Sequence, residues 1–178
     1  MKKIIVFPGS NSKNSINKEL AKYASSHLKN VELELIDLNN FELPLYGIDL
    51  EQEEGIHSEA IRLNGVIEQA DGFVISLAEH NGSYATVFKN AFDWLSRING
   101  KVWREKPVLL MATSPGTRGG LTVLETAAAR FPYMGGQISG TFSLPSYFDN
   151  FKGGKIIDEE LNNKLLLEVS EFQNKIDI

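Results

Sequence analysis

The sequence predicts an α/β fold: a doubly wound, five-stranded parallel sheet in the order 2-1-3-4-5, with helices on both faces. Three observations carry this. Short β-branched and apolar runs recur along the 178 residues, each the length of a strand buried in a sheet. Between them the apolar residues switch to helical spacing. The alternation repeats about five times without an internal repeat or a low-complexity segment, and strands that alternate with helices pair in parallel beneath them.

Ile4-Ile5-Val6-Phe7, closed by Pro8-Gly9, reads as a central strand buried on both faces. From Ser15, the residues Ile16, Leu20, Tyr23, Ala24 and Leu28 mark an amphipathic helix, with Lys18, Glu19, Lys22 and Lys29 opposite. Val31 to Leu38 alternates Val31, Leu33 and Leu35 against Glu32 and Glu34, the pattern of a strand nearer the sheet edge. A loop with Pro44 and Gly47 follows. Ser58 to Ala70 places Ile61, Val66, Ile67 and Ala70 on one helical side and leads into the apolar strand Gly72 to Leu77. Tyr84, Val87, Phe88, Ala91, Trp94, Leu95 and Ile98 trace a broad helical stripe, and Pro107 opens the strand Val108 to Ala112. A glycine-rich turn, Gly116 to Gly120, precedes a helix through Arg130, and Gln137 to Leu144 forms the last strand. Asp158-Glu159-Glu160 suits the positive end of a closing helix whose buried side carries Leu161, Leu165, Val169, Phe172 and Ile176.

Length suits one domain over residues 1–178, and 42% hydrophobic with 23% charged residues is the balance of a globular protein. A net charge of -5 without a basic stripe speaks against nucleic acid as a partner. The absence of cysteine excludes disulfides, thiolate metal sites and a cysteine nucleophile, so any redox chemistry comes from a bound cofactor. The apolar run after Met1-Lys2-Lys3 is too short for a secretory signal, and no stretch is long enough to span a bilayer. The expectation is a cytoplasmic protein with no membrane partner.

In such a sheet the ligand sits beyond the carboxyl ends of the strands, where the winding reverses, so three loops are candidates. Gly9 to Asn17 brings Ser10, Ser12 and Ser15 to the start of a helix, a setting for a phosphate monoester. It has neither the glycine pattern of a dinucleotide fingerprint nor the Gly-Lys-Ser/Thr ending of a nucleotide triphosphate loop. The same residue types cap helices, so Ser12, Asn14 or Ser15 reads equally well as a cap. Ala78-Glu79-His80-Asn81-Gly82-Ser83 offers backbone amides at a turn where Gly82 can take a positive φ, suited to a flat polar ring edge. Ser114 to Gly120 places Gly116, Gly119 and Gly120 where backbone can approach a planar ligand, or simply makes a flexible connection. His80 has only His27 and His57 for company, in no metal-ligand spacing, so no metal is expected. Asp93 and Arg97 stand four apart as a surface ion pair or subunit contact. Trp94 belongs to core or interface, and Trp103, in a polar loop, is expected against a partner subunit.

These residues together resemble a family. Gly9-Ser10 through Ser15 and Asn17, then Glu79-Asn81-Gly82-Ser83 with Lys89-Asn90-Ala91-Asp93-Trp94, then Ser114 with Gly119-Gly120, are similar to the motifs of the flavodoxin-like NADPH-dependent FMN reductases, over nearly the whole chain. The resemblance implies FMN as cofactor. Its phosphate would be held by Ser10, Ser12, Ser15, Ile16 and Asn17, and its ring by Ala78, Glu79, His80, Asn81, Gly82 and Ser83, with Ser114, Gly116, Gly119 and Gly120 closing the other side. It also implies NADPH or NADH as co-substrate, and a ping-pong transfer of electrons to a small acceptor such as a quinone, azo dye, metal oxyanion or free flavin. No protein acid or base is required. The family further implies a homodimer or homotetramer, for which the helix bearing Phe92 and Trp94 is a candidate surface, although the same residues would serve a core equally well. Ser12 stands where many members carry arginine, Ala78 and His80 replace proline and tyrosine, and Ala85-Thr86 replaces Pro-Gly. A non-enzymatic electron carrier and a flavin-free binding module are the alternatives on the same fold.

Overall fold

The computed structural model describes residues 1–177. Its central strand β1 (Lys2–Gly9) leads into α1 (Ile16–Ser25), then β2 (Val31–Leu35) and a 3-10 turn at Leu38–Asn40. Next come α2 (Ile48–Glu54), α3 (Ser58–Glu68), β3 (Gly72–Leu77) and a small hairpin of β4 (Glu79–His80) and β5 (Ser83–Tyr84). The chain continues through α4 (Thr86–Ile98), β6 (Lys106–Thr113), α5 (Leu121–Arg130), a second 3-10 turn at Phe131–Met134 and β7 (Gly136–Leu144). It closes with α6 (Tyr147–Asn150), β8 (Phe151–Lys152), β9 (Lys155–Ile156) and α7 (Glu159–Ile176).

The five long strands form one parallel sheet in the order β2-β1-β3-β6-β7, which is the 2-1-3-4-5 order expected. Strand pleating sends alternate residues to opposite faces, and the core divides accordingly. Ile5, Phe7, Phe73, Ile75, Val108 and Leu110 pack with Leu63 and Ile67 of α3, Phe88 and Leu95 of α4, and Val123 and Ala127 of α5. Ile4, Val6, Val74, Leu109 and Met111 pack on the other side with Leu20 and Ala24 of α1 and Leu165, Val169 and Phe172 of α7. Helices therefore cover both faces. Among the described residues no helix is long and apolar enough to cross a membrane.

Several expectations are corrected. The edge strand ends at Leu35 rather than Leu38, because Asp37 accepts from the Asn39 amide and caps a 3-10 turn. In α3 the buried side carries Ala60, Leu63, Asn64 and Ile67, and Ile61 is 56% exposed. Trp103 is fully buried within the subunit among Phe7, Phe73, Phe92 and Phe131, since the loop folds back with its amide on Met134 O. Phe92 and Trp94 are buried too, and serve the core of the subunit. Asp93 and Arg97 do not pair with each other: Lys89 takes Asp93 at 2.6 Å and Arg97 takes Glu51 at 2.8 Å. The segment after Gly47 is not only a loop but contains α2, whose residues are all at least partly exposed and so leave little apolar signal.

Candidate active site

Because β1 pairs with β2 on one side and β3 on the other, the winding reverses between β1 and β3, and the loops leaving their carboxyl ends part to form a crevice. The first wall is the segment from Ser10 to Ser15. Ser15 is the N-cap of α1, its Oγ accepting from the Lys18 amide at 3.1 Å, while the Ser12 amide donates to Ser10 Oγ at 3.1 Å. The first helical amides, of Ile16 and Asn17, have no carbonyl one turn back, and they are directed along the helix axis toward the loop. Capping thus uses the Ser15 hydroxyl, a different group of the segment from these two amides.

The buried Asn17 side chain fixes where that helix begins. Its Oδ1 accepts from Ser76 Oγ at 2.7 Å and from the Thr113 amide at 3.0 Å, and its Nδ2 donates to Thr113 O at 3.1 Å. The start of α1 is thereby tied to the ends of β3 and β6. Asn17 offers a ligand its backbone amide more than its side chain, which is already engaged.

The second wall is the β4–β5 hairpin. Asn81 and Gly82 both have positive φ, 51° and 73°, the backbone of a two-residue turn for which Asn-Gly is the favoured pair. Glu79 leaves this hairpin to reach α5, where its Oε2 accepts from the Val123 amide at 2.9 Å. Tyr84 turns the other way, among Phe88, Phe92 and Phe131, and burial pushes its phenol up to about 12.

The third wall runs from Ser114 to Gly120, braced by the loop after β7: the Ser146 and Tyr147 amides donate to Gly116 O and Ser114 O. Here the reason for two glycines changes. A Cβ on Gly119 would lie 2.5 Å from Ser143 Oγ, and one on Gly120 would lie 2.9 Å from Ala112 Cβ. Both have positive φ and face the sheet, so close packing, not access for a ligand, demands glycine there.

One cleft of about 240 Å³ joins these walls. Ser10, Ser12, Ser15, Ile16, Asn17, Ala78, Glu79, His80 and Ser114 line it, as the sequence suggested. Asn81, Gly82, Ser83, Gly116, Gly119 and Gly120 are outside its lining. Asn14, Thr113, Pro115 and Phe148 complete it, and of these the 64% exposed Phe148 left no signal beyond a lone aromatic residue in a polar loop. The volume is below the roughly 300–1,000 Å³ that encloses a drug-sized molecule. Among its lining residues there is no lysine or arginine, and its one carboxylate is held by α5. Among the described residues no cluster of three or more histidines and carboxylates is placed to hold a metal.

The donor set fits a phosphate monoester: two helix amides without helical partners beside the Ser10 and Ser12 hydroxyls, with no free carboxylate to repel it. A model of the family described as NADPH-dependent FMN reductase matches residues 2–149. The chain belongs to the NADPH-dependent FMN reductase family. As a member it is an NAD(P)H-dependent oxidoreductase that uses FMN. It is 33% identical over 142 residues to a quinone reductase of Escherichia coli K12, covering 74% of this chain and 72% of that protein. It is 32% identical over 128 residues to an NADPH azoreductase of Bacillus sp. OY1-2, covering 71% and 67%. The structure of FerB, a flavoenzyme NAD(P)H:(acceptor) oxidoreductase from Paracoccus denitrificans, superposes with a TM-score of 0.78 at 28% identity, covering 99% of this chain and 98% of that one.

The family's Lys-Asn-Ala-x-Asp-Trp block also gains a structural meaning in this member. Trp94 Nε1 and Asn90 Nδ2 donate to Pro44 O at 2.8 and 3.0 Å, and the Tyr46 amide donates to Asn90 Oδ1 at 2.8 Å. The block clamps the segment from Leu43 to Tyr46 onto α4 instead of touching the cleft.

Proposed function

We propose that this reductase seats the FMN phosphate at the start of α1, lays the ring between the β4–β5 hairpin and the Ser114–Gly116 loop, and passes electrons from NADPH or NADH to a quinone or azo compound. The observation that carries the reading is the cleft at the winding reversal, where unpaired helix amides and serine hydroxyls meet the two ring-side loops. The names of its relatives, a quinone reductase and an azoreductase, support those acceptors over others. Metal oxyanions and free flavin are further acceptors for the same site.

The chemistry that bound FMN would supply is redox: it would take up hydride from the nicotinamide and yield the electrons to the acceptor. The protein's part is placement. Ile16 and Asn17 amides with Ser10 and Ser12 hydroxyls hold the phosphate, and hairpin amides meet the polar ring edge. With so small a cleft a bound ring would keep one face open, and donor and acceptor would then use that opening in turn, the ping-pong order.

The test is to titrate the purified protein with FMN by visible absorbance, then follow NADPH and NADH oxidation with a quinone and an azo dye. Turnover with parallel double-reciprocal lines supports the reading. Bound flavin that neither nucleotide reduces would indicate an electron carrier, and absence of binding at high FMN a flavin-free module.

A further inference from the structure

The family motif puts Glu79 at the ring-side loop, yet its carboxylate is committed elsewhere. Oε2 accepts from the Val123 amide at 2.9 Å. Val123 is in the first turn of α5, and the residue at the N-cap of that helix, Gly120, has no side chain with which to cap it. A residue 44 positions away in sequence therefore does the capping. The hairpin tip is also near the first turn of α5: a Cβ added at Gly82 would come to 3.8 Å from Thr122 Cγ2.

α5 follows directly from the Ser114–Gly120 loop, and the Thr113 backbone just before that loop is bonded to Asn17. The Glu79 bond thus joins the two walls that flank the ring, as Asn17 joins the phosphate wall to one of them. From this geometry we infer that Glu79 is a positioning residue: its carboxylate caps α5 and sets the spacing between the hairpin and the Ser114–Gly120 loop, and it acts on the cofactor through that spacing, not by touching the ring. The inference rests on the FMN reading for its effect on binding, and on the protein alone for the cap itself.

Two measurements separate those parts. In the flavin-free protein, Glu79→Ala should speed hydrogen exchange of the Val123 amide, while Glu79→Gln, whose amide oxygen still accepts, should leave it near the wild-type rate. Unchanged exchange in Glu79→Ala would overturn the cap whatever the protein binds. With FMN, Glu79→Ala should weaken affinity roughly five-fold, because binding must then also order the two walls that the cap holds in place in the free protein. Riboflavin should weaken by the same factor, since the phosphate wall is untouched. Glu79→Gln should restore both to within about two-fold of wild type, because an uncharged cap keeps most of the bond. If Glu79→Gln binds as poorly as Glu79→Ala while its exchange is normal, the negative charge itself matters to the ring and the positioning role is wrong. A wild-type protein that binds neither flavin, with exchange behaving as stated, would overturn the cofactor reading and leave the cap standing.

Discussion

Replacing Asn17 with alanine removes one side chain and strands three buried partners. The Thr113 amide and carbonyl lose the bonds of 3.0 and 3.1 Å, and Ser76 Oγ loses its acceptor at 2.7 Å. Thr113 and Ser76 are 1% and 0% exposed, so water does not readily replace what is lost. Each buried group left unpaired costs about 1–3 kcal/mol. The serine hydroxyl can rotate to another acceptor, which leaves the two Thr113 groups and a total of about 3 kcal/mol. In a chain of this length that lowers Tm by roughly 6–12 °C. Urea unfolding of the flavin-free protein measures it, with the m-value unchanged if the unfolded state is not altered. Asn17→Asp should also destabilise near neutral pH, because its second oxygen meets the Thr113 carbonyl where Nδ2 donated. That defect should shrink in acid, when the protonated carboxyl donates again. A loss below about 1 kcal/mol for Asn17→Ala would refute the view that this side chain ties α1 to β3 and β6.

Trp94→Phe puts a smaller ring in a fully buried site and removes the bond to Pro44 O, and should cost about 2 kcal/mol or more while making the Leu43–Tyr46 segment more open to proteolysis. Ser12→Arg adds the cation that the cleft lining lacks. FMN affinity should rise about ten-fold and weaken with added salt more steeply than in wild type, while riboflavin affinity stays level. Tyr84 has its phenol pushed up to about 12 by burial, above the ordinary value of 10.0. The folded state holds this proton more tightly than the unfolded one, so its contribution is whole below pH 10 and is lost as pH rises toward 12. Tyr84→Phe should abolish that part of the alkaline loss and, because the buried hydroxyl has no partner, should not lower stability at neutral pH.

The sheet was legible in the sequence because β1, β3 and β6 are buried on both faces and read as apolar runs, interrupted only by Ser76 in β3, that begin or end at proline or glycine. The edge strand was harder. Leu33 and Leu35 remain 44% and 41% exposed, and their alternation with glutamates runs on toward Asp37, whose side chain ends the strand by a local bond. The hairpin had a local signal in Asn81-Gly82, but strands of two residues show no alternation to frame it. At the site, residue types and loop positions were legible, since helix starts and strand ends follow from local pattern. The roles of Asn17 and Glu79 were not, because their partners lie 59 to 96 and 44 positions away and nothing local marks the pairing. Trp103 shows the same limit in reverse: apart from Val102 its sequence neighbours are polar or glycine, and only the folded loop, with Arg104 and Glu105 at positive φ, brings it into the aromatic core.

Amide resonances of isotope-labelled protein, followed while FMN and then riboflavin are added, test the central assignment most directly. FMN should shift the amides of Ile16 and Asn17 together with those of Asn81, Gly82 and Ser114, whereas riboflavin should move the last three and leave the helix start in place. Saturation with FMN that leaves Ile16 and Asn17 unmoved would contradict the phosphate site at α1.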